Sequence, residues 1–224
     1  MDKIFKKFIV EVRYFPVYNF KENAYRHLRE VSNYDLNLNV IETPDIIELI
    51  DENQYKKIFC QRNRAGILIE NINDLKQLNA ECDGLEKLLR EMNVKSARRL
   101  GVRTIFLKVM RDKSYKDTIL LMADRVLRKD NITLSPDVFE DFALIVNGKK
   151  SNFKYNTICG VVNKKEIKEK HADFIYDDPE TSFLLDIDIS ETDLKYIINT
   201  KYMIDMYKKA EEIYDDFFKR NPEL

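Results

Sequence analysis

The chain opens on an alternation. In "KFIVEVRYFPV", Phe8, Val10, Val12 and Tyr14 occupy every second position, with Glu11 and Arg13 between them. A strand sends successive side chains to opposite faces, so this pattern predicts a strand with one apolar and one charged face, ended by Pro16. The period then lengthens. In "NFKENAYRHLREVSN", Phe20, Ala24, Leu28 and Val31 stand at helical spacing and predict an amphipathic helix.

Residues 36–70 hold three strand-like runs, "LNLNVIET", "DIIELIDE" and "KKIFCQRN" continuing into "GILIEN". A helix over about residues 74–92, capped by Asn71 or Asn73, lines up Leu75, Leu78, Cys82, Leu85, Leu88 and Leu89. "RRLGVRTIFLKVM" is rich in branched and aromatic side chains and predicts a strand, followed by a helix over Lys116–Arg128. Residues 140–170 read as a meander with Asn147-Gly148 as its tight turn. "SFLLDIDI" gives a last strand, and a helix from about Glu191 to Arg220 carries an apolar stripe from Leu194 to Phe217.

Strands and helices do not alternate strictly, which predicts an α+β fold. Its core would be a largely antiparallel sheet with helices on one face and a long C-terminal helix. Two ferredoxin-like halves fit this order. The chain reads as one unit over residues 1–224, with 1–112 and 113–224 as the alternative division.

Composition narrows the chemistry. With 44% hydrophobic residues the chain can build a core, and with 34% charged residues its surface is dense in ions. Five glycines leave little room for a phosphate-cradling loop. No apolar run reaches the length of a bilayer span, and Glu11 and Arg13 interrupt the basic, apolar N-terminus before any cleavage site, so a cytoplasmic protein is expected, without membrane contact. Cys60, Cys82 and Cys159 are odd in number and far apart, the pattern of buried thiols rather than of a disulfide or zinc site. His27 and His171 have no partner in sequence that would suit nucleophilic catalysis.

The net charge of −1 conceals an asymmetry. Residues 87–129 hold 13 basic against 4 acidic side chains, a net of +9, and residues 173–224 hold 6 against 14, a net of −8. Within the acidic quarter, "FLLDIDIS" puts Asp186 and Asp188 on one face of a strand, with Glu191 and Asp193 behind them. Two carboxylates at that spacing could chelate a divalent cation, but a third ligand and a phosphate loop are missing from the neighbourhood. A structural role is the expectation, with Asp186 and Asp188 as candidate metal ligands in the alternative and no cofactor expected. Within the basic middle, Arg98, Arg99 and Arg103 are candidates for contact with a polyanion or an acidic partner, and Gly101 permits close approach. On the last helix, Tyr207, Tyr214, Phe217 and Phe218 exceed what one stripe buries and are candidate interface residues.

Three segments, "IVEVRYFPV", "RRLGVRTIF" and "FLLDIDIS" before a helix ending "YDDFFKR", together resemble a sporadically distributed family of conserved, uncharacterised bacterial proteins of about this size. The resemblance spans the chain and implies a fold shared along its length and no established catalytic residues. It departs at Thr104 and Ile105, where the family pattern has an aromatic residue and an asparagine. The expected function is a non-enzymatic protein-interaction or self-associating module, a homodimer included. The alternatives are a metal-dependent enzyme on phosphate esters using Asp186 and Asp188, and a nucleic-acid-binding accessory protein using residues 87–129.

Overall fold

The computed structural model describes residues 4–32, 39–53, 55–72, 74–111, 113–126, 140–171, 180–195, 198–222 and 224. The first half contains β1 (Ile4–Arg13), α1 (Phe20–Ser32), β2 (Asn39–Glu42), β3 (Ile46–Asp51), β4 (Lys56–Gln61), β5 (Arg64–Glu70) and α2 (Leu75–Glu91). The second contains β6 (Ala97–Val109), α3 (Tyr115–Val126), β7 (Ala143–Lys150), β8 (Phe153–Asn163), the short α4 (Lys164–Glu166), β9 (Thr181–Leu194) and α5 (Thr200–Arg220). The nine strands form one antiparallel sheet in the order β2-β3-β4-β5-β1-β6-β9-β8-β7.

Each half is a strand, a helix, a meander and a second helix. The last strand of each meander returns to its own first strand, β5 to β1 and β9 to β6. A ferredoxin-like half would place its second helix before that returning strand; here the helix follows it. The two first strands, β1 and β6, pair along Ile4–Arg13 at the centre, so one sheet runs through both halves.

One face of this sheet carries the core. Phe8, Val10, Val12 and Tyr14 of β1 point into it, as the alternation predicts, together with Leu100, Val102 and Phe106 of β6 and Phe183, Leu185, Ile187 and Ile189 of β9. Helices α1, α2, α3 and α5 all contribute to this cluster, through Leu28, Leu85, Met122 and Met206 among others. Cys60, Cys82 and Cys159 are buried as free thiols, and burial pushes the Cys60 and Cys82 thiols up to about 12.

Several boundaries differ from the sequence pattern. The run expected to continue from β4 into β5 folds back at Arg62 and Asn63, which gives four strands between residues 39 and 70. Asn147 and Gly148 lie inside β7, opposite Asn156 and Tyr155; the chain turns at Ser151 and Asn152, with Ser151 in the left-handed region at φ 55°. Helix α2 is capped by Asp74, whose side chain accepts from the Lys76 N–H. The last strand continues through Glu191, Thr192 and Leu194 because β6 supplies ladder partners that far. Helix α5 therefore starts at Thr200, where Asn199 accepts from the Tyr202 N–H and Glu86 of α2 accepts from the Thr200 N–H and hydroxyl.

Candidate functional site

Among the described residues, the opposite face of the sheet is covered at one end only. There Phe5, Ile105, Leu107, Val162 and Leu184 form a small apolar cluster under Ile167, which follows α4. Beyond it the face turns polar.

The strand registers set out that region row by row. Arg64, Arg13 and Arg99 stand abreast on β5, β1 and β6. The next row is Gly66, Glu11, Gly101 and Ser190, followed by Ile9, Arg103 and Asp188, and then by Lys7, Ile105 and Asp186. All of the charged residues in the three segments of the family resemblance that alternate away from the core therefore meet on neighbouring strands: Glu11 and Arg13, Arg99 and Arg103, Asp186 and Asp188.

They meet as ion pairs. Arg103 reaches diagonally to Asp186, Nε to Oδ1 at 2.9 Å and Nη2 to Oδ2 at 2.5 Å, a two-pronged contact. The Asp186 side chain is 4% exposed while that of Arg103 is 45% exposed, so the guanidinium spans from buried carboxylate to solvent. Arg99 reaches over a whole row to Asp188, Nη2 to Oδ2 at 2.9 Å. Gly101 makes that reach possible, since a Cβ there would stand 2.6 Å from Arg99 Nη1. The glycine in "RLGVR" is thus a groove for the neighbouring guanidinium. Gly66, in the same row, leaves room for the Phe59 ring and for the Val10 carbonyl oxygen.

Electrostatics follow from these contacts. Burial raises the Asp188 carboxyl above its ordinary value, against the lowering effect of Arg99 and Arg103. Hydrogen bonding to Asp186 holds the Arg103 charge more firmly than usual. The two carboxylates are engaged by guanidinium groups, and no group of three His, Cys, Asp or Glu suited to a metal occurs among the described residues. Glu191 and Asp193 do not join them: Glu191 accepts from the Tyr202 hydroxyl, and Asp193 lies at the strand end with φ 60°.

At the far end the arginines outnumber the carboxylates. Glu11 is shared by Arg13 at 2.6 Å, Arg64 at 3.3 Å and Arg99 at 3.7 Å. Arg13, Arg64, Arg98 and Arg99 line an open cleft of about 670 Å³ with Asn63 and Asp193. Among the described residues, neither Arg98 nor Arg62 has a carboxylate partner. Each instead lies against an exposed ring. Arg98 is 5.7 Å from the centroid of Phe15, and Arg62 is 4.6 Å from that of Tyr18. The loop that bears both rings is tied to the β4–β5 turn, through the Tyr14 N–H to the Asn63 carbonyl and the Val17 N–H to the Arg62 carbonyl.

Of the residues singled out in sequence, Arg99, Arg103, Asp186 and Asp188 share this face, and Arg98 lines the cleft at its end. The aromatics of α5 do neither. Tyr207 is 2% exposed and packs edge-on against Phe8. Tyr214 stacks on Phe106, Phe217 stacks on Phe183, and Phe218 meets Phe183 edge-on. Tyr214, Phe217 and Phe218 are half-buried in these contacts. His27 and His171 have side chains outside the described residues. Glu11, Arg13, Arg62, Arg64, Phe15 and Tyr18 escaped the sequence reading, and only the Glu11 and Arg13 alternation signalled part of them. No protein-family model and no curated protein sequence matches this chain.

Proposed function

We propose that the protein is a non-enzymatic interaction module that receives an anionic partner in the arginine cleft at the end of its polar sheet face. One observation carries this reading. Four guanidinium groups, of Arg13, Arg64, Arg98 and Arg99, line the cleft, the carboxylates beside them are those of Glu11, Asp188 and Asp193, and the excess opens to solvent. Asp188 and Asp186 act as struts that hold Arg99 and Arg103 in place. Planar, permanently charged guanidinium groups suit two-pronged recognition of carboxylate or phosphate.

The partner can be a protein segment, a second copy of the acidic C-terminal quarter, or another polyanion, because all three present the same chemistry. The test is titration of the protein with a fluorescent heparin oligosaccharide. Binding should weaken steeply between low and physiological salt, since exposed charges are screened within about 8–10 Å. Replacing Arg64 and Arg98 together by Gln should weaken it about tenfold or more. Binding that ignores both salt and these arginines would defeat the reading.

A further inference from the structure

We infer that the anionic partner is a single-stranded nucleic acid, its phosphates held in the arginine cleft and its bases stacked on Phe15 and Tyr18. The inference rests on the anion-binding role proposed above and adds a substrate class to it.

The carrying observation is the pairing of charge with exposed aromatic surface at one place. Phe15 is 67% exposed and Tyr18 82% exposed. Rings with this much surface in water leave a π-face open to a ligand, and neither is needed to close the core. Both occur in the six-residue connection from β1 to α1, "YFPVYN", stiffened by Pro16 and bonded to the β4–β5 turn. Their rings are thus presented rather than left to collapse. Each ring has an arginine against it, so cation and π-face already stand in the arrangement in which a base would insert or stack.

An acidic peptide would use the arginines but not the rings. Duplex DNA or RNA would use the phosphate contacts, but its bases are stacked on each other and unavailable. A single strand uses both, because every base has a π-face and every linkage a phosphate. Asn63 and Gln61, which line the same cleft, add amide donors and acceptors that suit sugar or base edges. The dense ion pairs next door are consistent with this division of labour. Arg99 and Arg103 are fixed by Asp188 and Asp186, while Arg62 and Arg98 have no carboxylate partner among the described residues and are available to exchange a ring contact for a phosphate.

The experiment is fluorescence anisotropy of the full chain with three labelled probes: a 15-nucleotide oligothymidylate, an oligouridylate of the same length, and a heparin oligosaccharide. The expected result is micromolar binding of either or both single strands with a log–log salt slope of about −2, the value for roughly three phosphates neutralised. Phe15→Ala and Tyr18→Ala should each weaken oligonucleotide binding about fivefold or more and leave heparin binding within twofold. Arg98→Gln should weaken all three probes. Heparin binding without oligonucleotide binding would overturn this inference and leave the interaction module standing. Oligonucleotide binding that is indifferent to Phe15 and Tyr18, or a duplex that binds more tightly than the single strand, would overturn it too. Failure of all three probes would defeat both readings. The two rings are exposed, and matching circular dichroism and melting midpoints for the variants separate lost binding from lost fold.

Discussion

Arg103 and Asp186 show how position decides the worth of an ion pair. The carboxylate is buried and the guanidinium is half in solvent, so the two partners are not equivalent. Removing the arginine leaves a buried charge unpaired, whereas neutralising the aspartate leaves an arginine that can turn to water. Arg103→Met should therefore cost about 3–5 kcal/mol, and Asp186→Asn markedly less. The double substitution should recover most of the loss, since the stranded carboxylate is then gone. Urea unfolding of the wild type, both singles and the double measures this coupling. Strictly additive losses would mean that the pair contributes nothing through its contact. The same geometry explains why "DID" reads ambiguously in sequence. Two carboxylates on one strand face look alike whether a cation or two guanidinium groups complete them.

At the scale of the element, α5 shows how a wide sheet uses a helix that looks over-apolar. Met203, Met206, Tyr207 and Ala210 form the buried stripe, and the last two turns add Tyr214, Phe217 and Phe218 over Phe106 and Phe183. The helix crosses β9 and β6 and reaches β1, so more of its circumference meets strands than a single stripe would suggest. Phe217→Ala should cost about 2 kcal/mol, the value for a partly buried aromatic, and the loss should not depend on protein concentration. Lys209→Glu, which removes a cation 3.7 Å from the Phe153 centroid, should cost no more than about 1 kcal/mol. Chemical denaturation at two concentrations tenfold apart distinguishes this packing role from a subunit interface. A concentration-dependent loss for Phe217→Ala would instead mark α5 as a site of self-association.

At the scale of the whole molecule, the two halves are joined more strongly than their repeated order implies. The central pair β1 and β6 is part of the ladder, and the helical layer crosses the same boundary through α2 against α5. The core cluster runs without interruption from Ile47 of β3 to Cys159 of β8. A chain of this length often unfolds through intermediates, yet here neither half can open without exposing the inner faces of β1 and β6. Urea unfolding followed by tyrosine fluorescence and by circular dichroism should give one coincident transition. Two separated transitions would indicate halves that are stable alone. The charge asymmetry also resolves at this scale. The basic middle and the acidic quarter meet directly where β6 lies beside β9, and Arg99 and Arg103 face Asp188 and Asp186 there.

The sequence by itself determined the element types and their faces. Phe8, Val10, Val12 and Tyr14 alternate because one side of β1 is dry, and Leu78, Cys82, Leu85, Leu88 and Leu89 recur at helical spacing because one side of α2 is dry. Periodicity is a local consequence of burial, so it survives in one dimension. It also placed Asp186 with Asp188 on one face. The turn at Ser151, the end of β9 and the start of α5 were decided by tertiary structure, because ladder partners on β8 and β6 and a cap from Glu86 outweighed the local preferences of Asn-Gly and Ser-Glu. The arginine cleft was decided there as well. Its members come from β1, the start of β5 and the start of β6, far apart in the chain, and only strand register brings their guanidinium groups to one end of the sheet. Register is a long-range pairing, and no short window of sequence contains it.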